Sequence, residues 1–213
     1  MRLIQPALVI LLLYVTAGCS STHVTSTWKA PGIVPQVYDK IIVLGIVNDA
    51  DRTMRERMEN HLVGDLKSHG YNAVSAFKEY GPKAFENMTE EQANNKFAND
   101  GIKAVITVVL LDKKSERRYV PANMASQNQF FDYYQRVYSR ILSPGYFQVT
   151  TKYFWESNFY DLTDSKLLYS VQTQSFDPTT TDNLAHEYGL TIVHSMMKNN
   201  VLQKQSANAA SSY

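Results

Sequence analysis

The side chains with chemistry to offer are few, and most fail on spacing. His186-Glu187 opens what a zinc metalloprotease helix needs, but H-E-x-x-H requires a second imidazole one turn on, and that position is Leu190. His194 lies two turns from His186 and shares its helical face. The two imidazoles then stand about 12 Å apart along the axis, too far for one ion, and both are expected at the surface or its boundary. His194 with Met196 and Met197 offers a soft donor set of the kind copper takes, but Met196 falls on an apolar helical stripe and reads as core. No metal and no other cofactor is expected. Asp49 and Asp51 follow an apolar strand, where α/β sheets tend to place ligands, which makes them the candidates for a polar pocket. Capping the next helix accounts for them more simply. Asp161 and Asp164 read as turn residues. The chain holds no G-x-S-x-G, P-loop or G-x-G-x-x-G, Gly45 standing alone in its strand, so a protein that is not an enzyme is expected.

One further reactive side chain, Cys19, is the only cysteine in the sequence. It follows a positive start at Arg2, an apolar stretch over residues 8–14 and the small pair Ala17-Gly18, the order of an export signal. The apolar run is well short of the roughly 20 residues of a spanning helix. Thr16-Ala17-Gly18-Cys19 resembles the bacterial lipobox, in which the cysteine thiol is acylated and becomes the new amino terminus. Thr16 stands where that motif usually has Leu. A lone cysteine in an oxidising compartment otherwise asks for an explanation. Residues 1–18 are thus expected as a signal peptide and Cys19 as the site through which the protein meets a lipid bilayer. Ser20, rather than Asp, implies the outer membrane, facing the periplasm.

Loss of residues 1–18 removes one charge, Arg2, leaving 20 basic against 20 acidic residues. With no net basic footprint, nucleic acid is not an expected partner, nor is attraction to a polyanion or membrane surface supported.

These residues must be carried by one domain, expected over residues 40–202. Before it, residues 19–39 are rich in Ser and Thr and punctuated by Pro31, Gly32 and Pro35, a composition that favours an extended tether; Trp28 is expected to pack onto the domain as its first ordered residue. Residues 40–47 (KIIVLGIV) are a central strand apolar on both sides. Met54, Met58, Leu62 and Leu66 then mark an amphipathic helix ending near His69, closed by Gly70. Residues 71–77 read as a short strand, Thr89 and Gln92 as a capping box for a helix carrying Ala93 and Phe97 inward, and residues 102–111 as a second apolar strand. This β-α-β-α-β half predicts an α/β fold with a largely parallel sheet. Residues 113–146, dotted with tyrosines and without a clean period, are expected as a long insertion. Residues 147–161 and 167–176 form an antiparallel hairpin around a turn at 162–166, and a helix from about Thr181 carries Leu184, Tyr188, Ile192 and Met196. The amino-terminal half, the hairpin and this helix share one mixed sheet. Residues 203–213 are expected to be disordered.

Taken together, the signal with its cysteine, Trp28, the Tyr-rich insert, Ser143-Pro144-Gly145-Tyr146 and above all residues 159–170 (FYDLTDSKLLYS) resemble a family of uncharacterised bacterial lipoproteins with a recurrent "YD-x-x-t-g-k-l-v-W-s" hairpin. Ser165 stands where that turn has Gly, and Tyr169 where it has Trp. The order of elements is similar to the periplasmic α/β domains of TolB, at its amino end, and of CsgG. The resemblance implies envelope work through protein contacts and carries over no catalytic residue. The expected function is a membrane-anchored interaction or envelope-assembly module contacting an unidentified envelope protein. The alternative is an oligomeric secretion or pore-type lipoprotein resembling CsgG, in which part of residues 113–176 inserts as membrane β-hairpins after oligomerisation; a homo-oligomer fits either reading.

Overall fold

The run of β-branched residues at Ile41–Ile46 (β2) forms the strand expected of it, with Ile41, Ile42 and Val43 fully buried. The computed structural model describes residues 21–48, 51–83, 85, 88–120, 130–134, 137 and 146–203. Residues 1–20, which include the expected signal peptide and Cys19, together with Asp49, residues 143–145 and the residues beyond Gln203 lie outside them. Around β2 the described elements are β1 (Thr22–Lys29), α1 (Arg52–Ser68), β3 (Ala73–Ser75), α2 (Ala76–Tyr80), α3 (Glu90–Asn99), β4 (Ala104–Val120), β5 (Tyr146–Asp161), β6 (Lys166–Phe176) and α4 (Thr181–Lys198). The sheet runs β1-β6-β5-β4-β2-β3. Strand β2 is parallel to β3 and β4, and every other pairing is antiparallel. The fold is therefore α/β, a β-α-β-α-β half continued by an antiparallel hairpin and a carboxyl-terminal helix in one mixed sheet.

Helices α1 and α4 cover one face. Met58, Leu62 and Leu66 of α1 and Leu184, Tyr188, Ile192 and Met196 of α4, all fully buried, meet Trp155, Phe159 and Tyr169 from the sheet. On the other face a smaller cluster of Ile42, Ala76, Phe97, Ile102 and Val105 sits beneath α2 and α3. Over β5 and β6 that second face is polar, where Asn158 and Gln172 each donate to the Glu156 carboxylate at 3.0 Å.

One buried charge ties the parallel half together. Glu59, fully buried in α1, accepts from Gly45 N–H of β2 (2.8 Å), Arg55 Nε (3.1 Å), the Ser75 hydroxyl at the end of β3 (2.6 Å) and Phe77 N–H of α2 (2.7 Å). A carboxylate so satisfied can be held inside, whereas an unpaired one could not. A Cβ at Gly45 would come within 2.9 Å of the Glu59 oxygen and 2.8 Å of Arg55 Cγ, which explains the lone glycine in an apolar strand. Gly70 (φ 90°) ends α1 as expected, Tyr71 N–H reaching the Leu66 carbonyl and Gly70 N–H that of Lys67.

Four expectations are corrected. Residues 19–39 are not simply a tether: β1 pairs with β6 from Thr22 onward, because its alternating Thr, Val and Ser suit an edge strand as well as a linker. Trp28 does not pack onto the domain but stays 49% exposed, paired with Ser170 on the polar face. The short strand after α1 ends at Ser75 rather than residue 77, since its hydroxyl accepts from Lys78 N–H and starts α2. Residues 113–146 are not all insertion: β4 runs on to Val120 and β5 begins at Tyr146, so the connection is residues 121–145. Both faces of residues 111–118 are exposed, which erases the polar–apolar alternation that marks a strand in sequence.

Two glycines give opposite predictions. At Gly189 of α4 a Cβ would stand 2.3 Å from Asp65 Oδ2 and 3.3 Å from the Leu62 backbone nitrogen, so the glycine sets the spacing of α1 and α4. Gly64 of α1 has nothing within 4 Å. Gly189→Ala is expected to destabilise by about 1–3 kcal/mol despite better helix propensity, and Gly64→Ala to stabilise by about 0.5–1 kcal/mol. Urea midpoints would check both, and a Gly189→Ala midpoint at or above wild type would refute the close approach.

Candidate functional site

Beyond the row where β1, β6 and β5 stand abreast, the sheet narrows to two strands. Phe176 N–H donates to the Ser21 carbonyl, Thr22 pairs with Ser175, Phe176 with Lys152, and Lys152 with Lys114. From there, among the described residues, 115–120 and 146–151 pair as strands with each other, Asp177 N–H still reaching the Thr151 carbonyl at 2.7 Å, a ribbon about 20 Å long by strand rise. One face carries Lys113 and Arg117 with Phe147, Val149 and Tyr153; the other carries Asp112, Lys114, Glu116 and Arg118 with Tyr146, Lys152 and Phe154. Cations lie over rings on both faces: Arg117 over Phe147 at 3.9 Å, Lys113 over Tyr153 at 5.3 Å and Lys114 over Phe154 at 5.4 Å. Tyr146, Phe147 and Val149 remain 65%, 53% and 54% exposed. With charges on both faces, neither can be the lipid side of a membrane barrel wall, which must alternate apolar-out.

The expected site residues scatter. Asp51 occupies the N-cap position of α1 but makes no side-chain capping bond. Asp161 accepts from Thr163 N–H (2.7 Å) and the Tyr38 hydroxyl (3.3 Å), and Asp164 is paired with Lys166, so both serve the turn as read. Met196 is core, and His186 and His194 are exposed on α4. With Leu190, Met197 and Lys198 of α4 and Val24 and Thr27 of β1, those histidines line an open groove of about 1050 Å³ beside β1, the edge strand of the described sheet.

A grouping that the motif search missed lies where α1 meets α4. His61 and His186 rings are 5.7 Å apart, His61 Nε2 and Arg57 Nη1 reach Asp182 Oδ1 at 3.2 and 2.6 Å, and His69 Nδ1 lies 2.9 Å from the Asp65 carbonyl. The repeat His61-x3-Asp65-x3-His69 puts all three on one helical face and was the available signal. Among the described residues no three such side chains are placed to hold a metal ion. Asp65 Oδ2 is buried without a hydrogen-bond partner among the described residues. Burial raises its carboxyl above the ordinary value, opposed by the charges of His186, His61 and His69.

Compared with protein-family models and with curated proteins, the sequence finds no match. Among solved structures it is similar to the PelC dodecamer from Paraburkholderia phytofirmans, at 10% identity and TM-score 0.45 over 87% of this chain and 99% of that one. It is similar also to the lipoprotein GNA1162 from Neisseria meningitidis, at 14% identity and TM-score 0.41 over 75% of this chain and 98% of that one. A third is a putative neuraminyllactose-binding hemagglutinin homolog from Helicobacter pylori, at 10% identity and TM-score 0.37 over 80% and 91%. With TM-scores below 0.5 they carry no part of the functional reading, which is taken from this chain's own residues.

The Asp65 environment predicts a pH dependence. Because its folded pKa lies above the ordinary 3.8, ionised Asp65 costs the native state stability at neutral pH, and that cost fades as pH falls through the raised value. Asp65→Asn is expected to melt higher than wild type near neutrality, by a margin that shrinks on acidification. Thermal melts across that range would check it, and a lower neutral melting point would count against the assignment.

Proposed function

We propose that the protein is a bacterial lipoprotein, acylated at Cys19 and held to the outer membrane facing the periplasm, whose α/β domain works by contacting other envelope proteins rather than by catalysis. The observation that carries this reading is where the chain enters the fold. Ser21 donates to the Glu187 carboxylate through its backbone N–H (2.6 Å) and its hydroxyl (2.8 Å), and Thr22 and Ser175 hydroxyls meet at 2.7 Å. Only Ser20 separates this contact from the lipobox-like cysteine, so an acyl group on Cys19 would leave directly from the edge of the domain. Such a docked amino terminus suits a protein held at a surface. The resemblance of the sequence to lipoproteins with a TolB- or CsgG-like domain supports the same address.

The surface offered to a protein is the β1 edge with the groove beside it. An extended segment of a partner can add to the unpaired side of β1 and lay alternate side chains against Leu190, His194 and Met197 of α4. The charges on both faces of the ribbon weigh against the pore-type alternative.

Intact mass and membrane fractionation test the anchor: wild type should carry a diacyl or triacyl mass on a chain beginning at Cys19, and Cys19→Ala should become soluble or stay unprocessed. A soluble, unacylated wild type would refute it. The groove is tested by crosslinking in intact membranes, where wild type should recover envelope proteins that Leu190→Glu loses; equal recovery by the two would move the contact elsewhere.

A further inference from the structure

We infer that the β4–β5 ribbon is a second membrane contact, one that lies against anionic lipid headgroups beside the Cys19 anchor. The inference rests on the lipid-anchor reading for its geometry and on the ribbon's own chemistry for its partner. Geometry comes first. Ser21 stands in the row from which the ribbon departs, level with Lys152 and Lys114. Two residues of chain reach at most about 7 Å, so a lipid on Cys19 holds the bilayer within that distance of the row plus the depth of the headgroups. The ribbon extends about 20 Å from the same row in the direction away from the sheet. A domain anchored so closely brings the ribbon to the bilayer surface.

The chemistry fits that surface and not the hydrocarbon beneath it. Residues 111–120 and 146–153 hold five basic residues, Lys113, Lys114, Arg117, Arg118 and Lys152, against Asp112 and Glu116. That is a net charge of plus three on a chain whose total is plus one, so the remainder is net acidic. Cations near an anionic leaflet gain from its surface potential. Exposed Tyr146 and Phe147 are ring side chains of the kind that settle at the headgroup level. Phe130, Phe131, Tyr133 and Tyr134, in the connection between the two strands, are exposed as well. Arg117 stacked on Phe147 presents charge and ring together. Overall neutrality hid this patch: the basic excess is local, with four of its five cations in residues 113–118 (KKSERR) and Lys152 joining them where β5 pairs with β4.

The test uses the full chain in a Cys19→Ala background, which is then cysteine-free. Every variant carries the same amino-terminal segment, so differences between variants report the ribbon. Phosphatidylcholine vesicles with and without phosphatidylglycerol are the probe. Arg117→Gln with Arg118→Gln is expected to weaken partitioning onto the anionic vesicles by about 30-fold, each lost cation counting for roughly a factor of five, and to leave neutral vesicles unaffected. In a separate pair, Phe147→Cys and Asp164→Cys carry an environment-sensitive fluorophore at the ribbon and at the opposite end of the sheet. Anionic vesicles should shift the emission of the first label to the blue and leave the second unchanged. Both labels sit in the same folded protein, so misfolding of a variant does not imitate this result. Unchanged partitioning of the arginine variant, equal shifts at both labels, or no shift at residue 147 overturns the inference. So does binding of dextran sulfate that shifts the label at residue 147 when vesicles do not, which would make the ribbon a site for soluble polyanions. Failure of acylation at Cys19 in cells is read separately, by mass, and does not alter what the vesicles report.

Discussion

The pairing of β4 with β5 is the constraint on which the rest depends. Its inner half lies between β2 and β6 and supplies Ile106, Val108, Trp155 and Phe159 to the core beneath α1 and α4. Among the described strands, its outer half has no third strand beside it. A two-stranded ribbon alone in water is marginally stable. The buried half is fixed in register, since a slip of one residue would turn Trp155 out of the core; between Leu110 and Asp112 the register shifts by one residue, and the exposed half keeps its own register from there to Val120. Cross-strand ring–cation pairs and the Lys152–Glu116 contact at 3.3 Å add to it. The core thus stiffens a projection that makes no core of its own.

What the sequence revealed of the fold follows the same division. Wherever an element has one buried and one exposed side, its period is written in the residues: Met54, Met58, Leu62 and Leu66 in α1, the Thr89–Gln92 capping box, and the alternation through Trp155, Ser157 and Phe159 were all legible. Where burial is absent the period vanishes, and β1 and the outer part of β4 passed for tether and insertion. Glu59 illustrates a third case. It sits beside Met58 on the apolar side of α1, and a lone Gly45 in an apolar strand marks a close approach, but a carboxylate in a helix reads as solvent-facing unless the two are connected. The turn at Ser165, with φ 53°, explains why the hairpin it resembles has glycine there: the left-handed region costs a side chain.

The candidate site was less legible than the fold because it is a matter of what lies level with what. Composition, with residues 1–18 set aside, gives equal numbers of basic and acidic residues and therefore no electrostatic partner. Residues 111–120 and 146–153 carry five cations against Asp112 and Glu116 and leave the remainder net acidic, so neutrality is a sum of two unlike parts. Likewise His61, Asp65 and His69 are unremarkable along α1 until α4 brings His186 over them and Gly189 lets the helices close.

If Cys19 carries the proposed lipid, the entry of the chain decides between a domain that hangs from a membrane and one that rests on it. A Ser- and Thr-rich leader would allow some nanometres of freedom if it were unpaired. Paired with β6 from Thr22 and fixed at Ser21 by Glu187, it allows about two residues. Freedom of orientation is lost with freedom of distance, since the row that holds Ser21 also launches the ribbon. On the proposed Cys19 anchor, a short attachment and a long projection on one edge would not both be satisfied by a domain standing upright away from a bilayer. They would be satisfied by one tilted so that the ribbon lay along the surface, with the β1–α4 groove on the flank and the turn at Asp164 directed away from it.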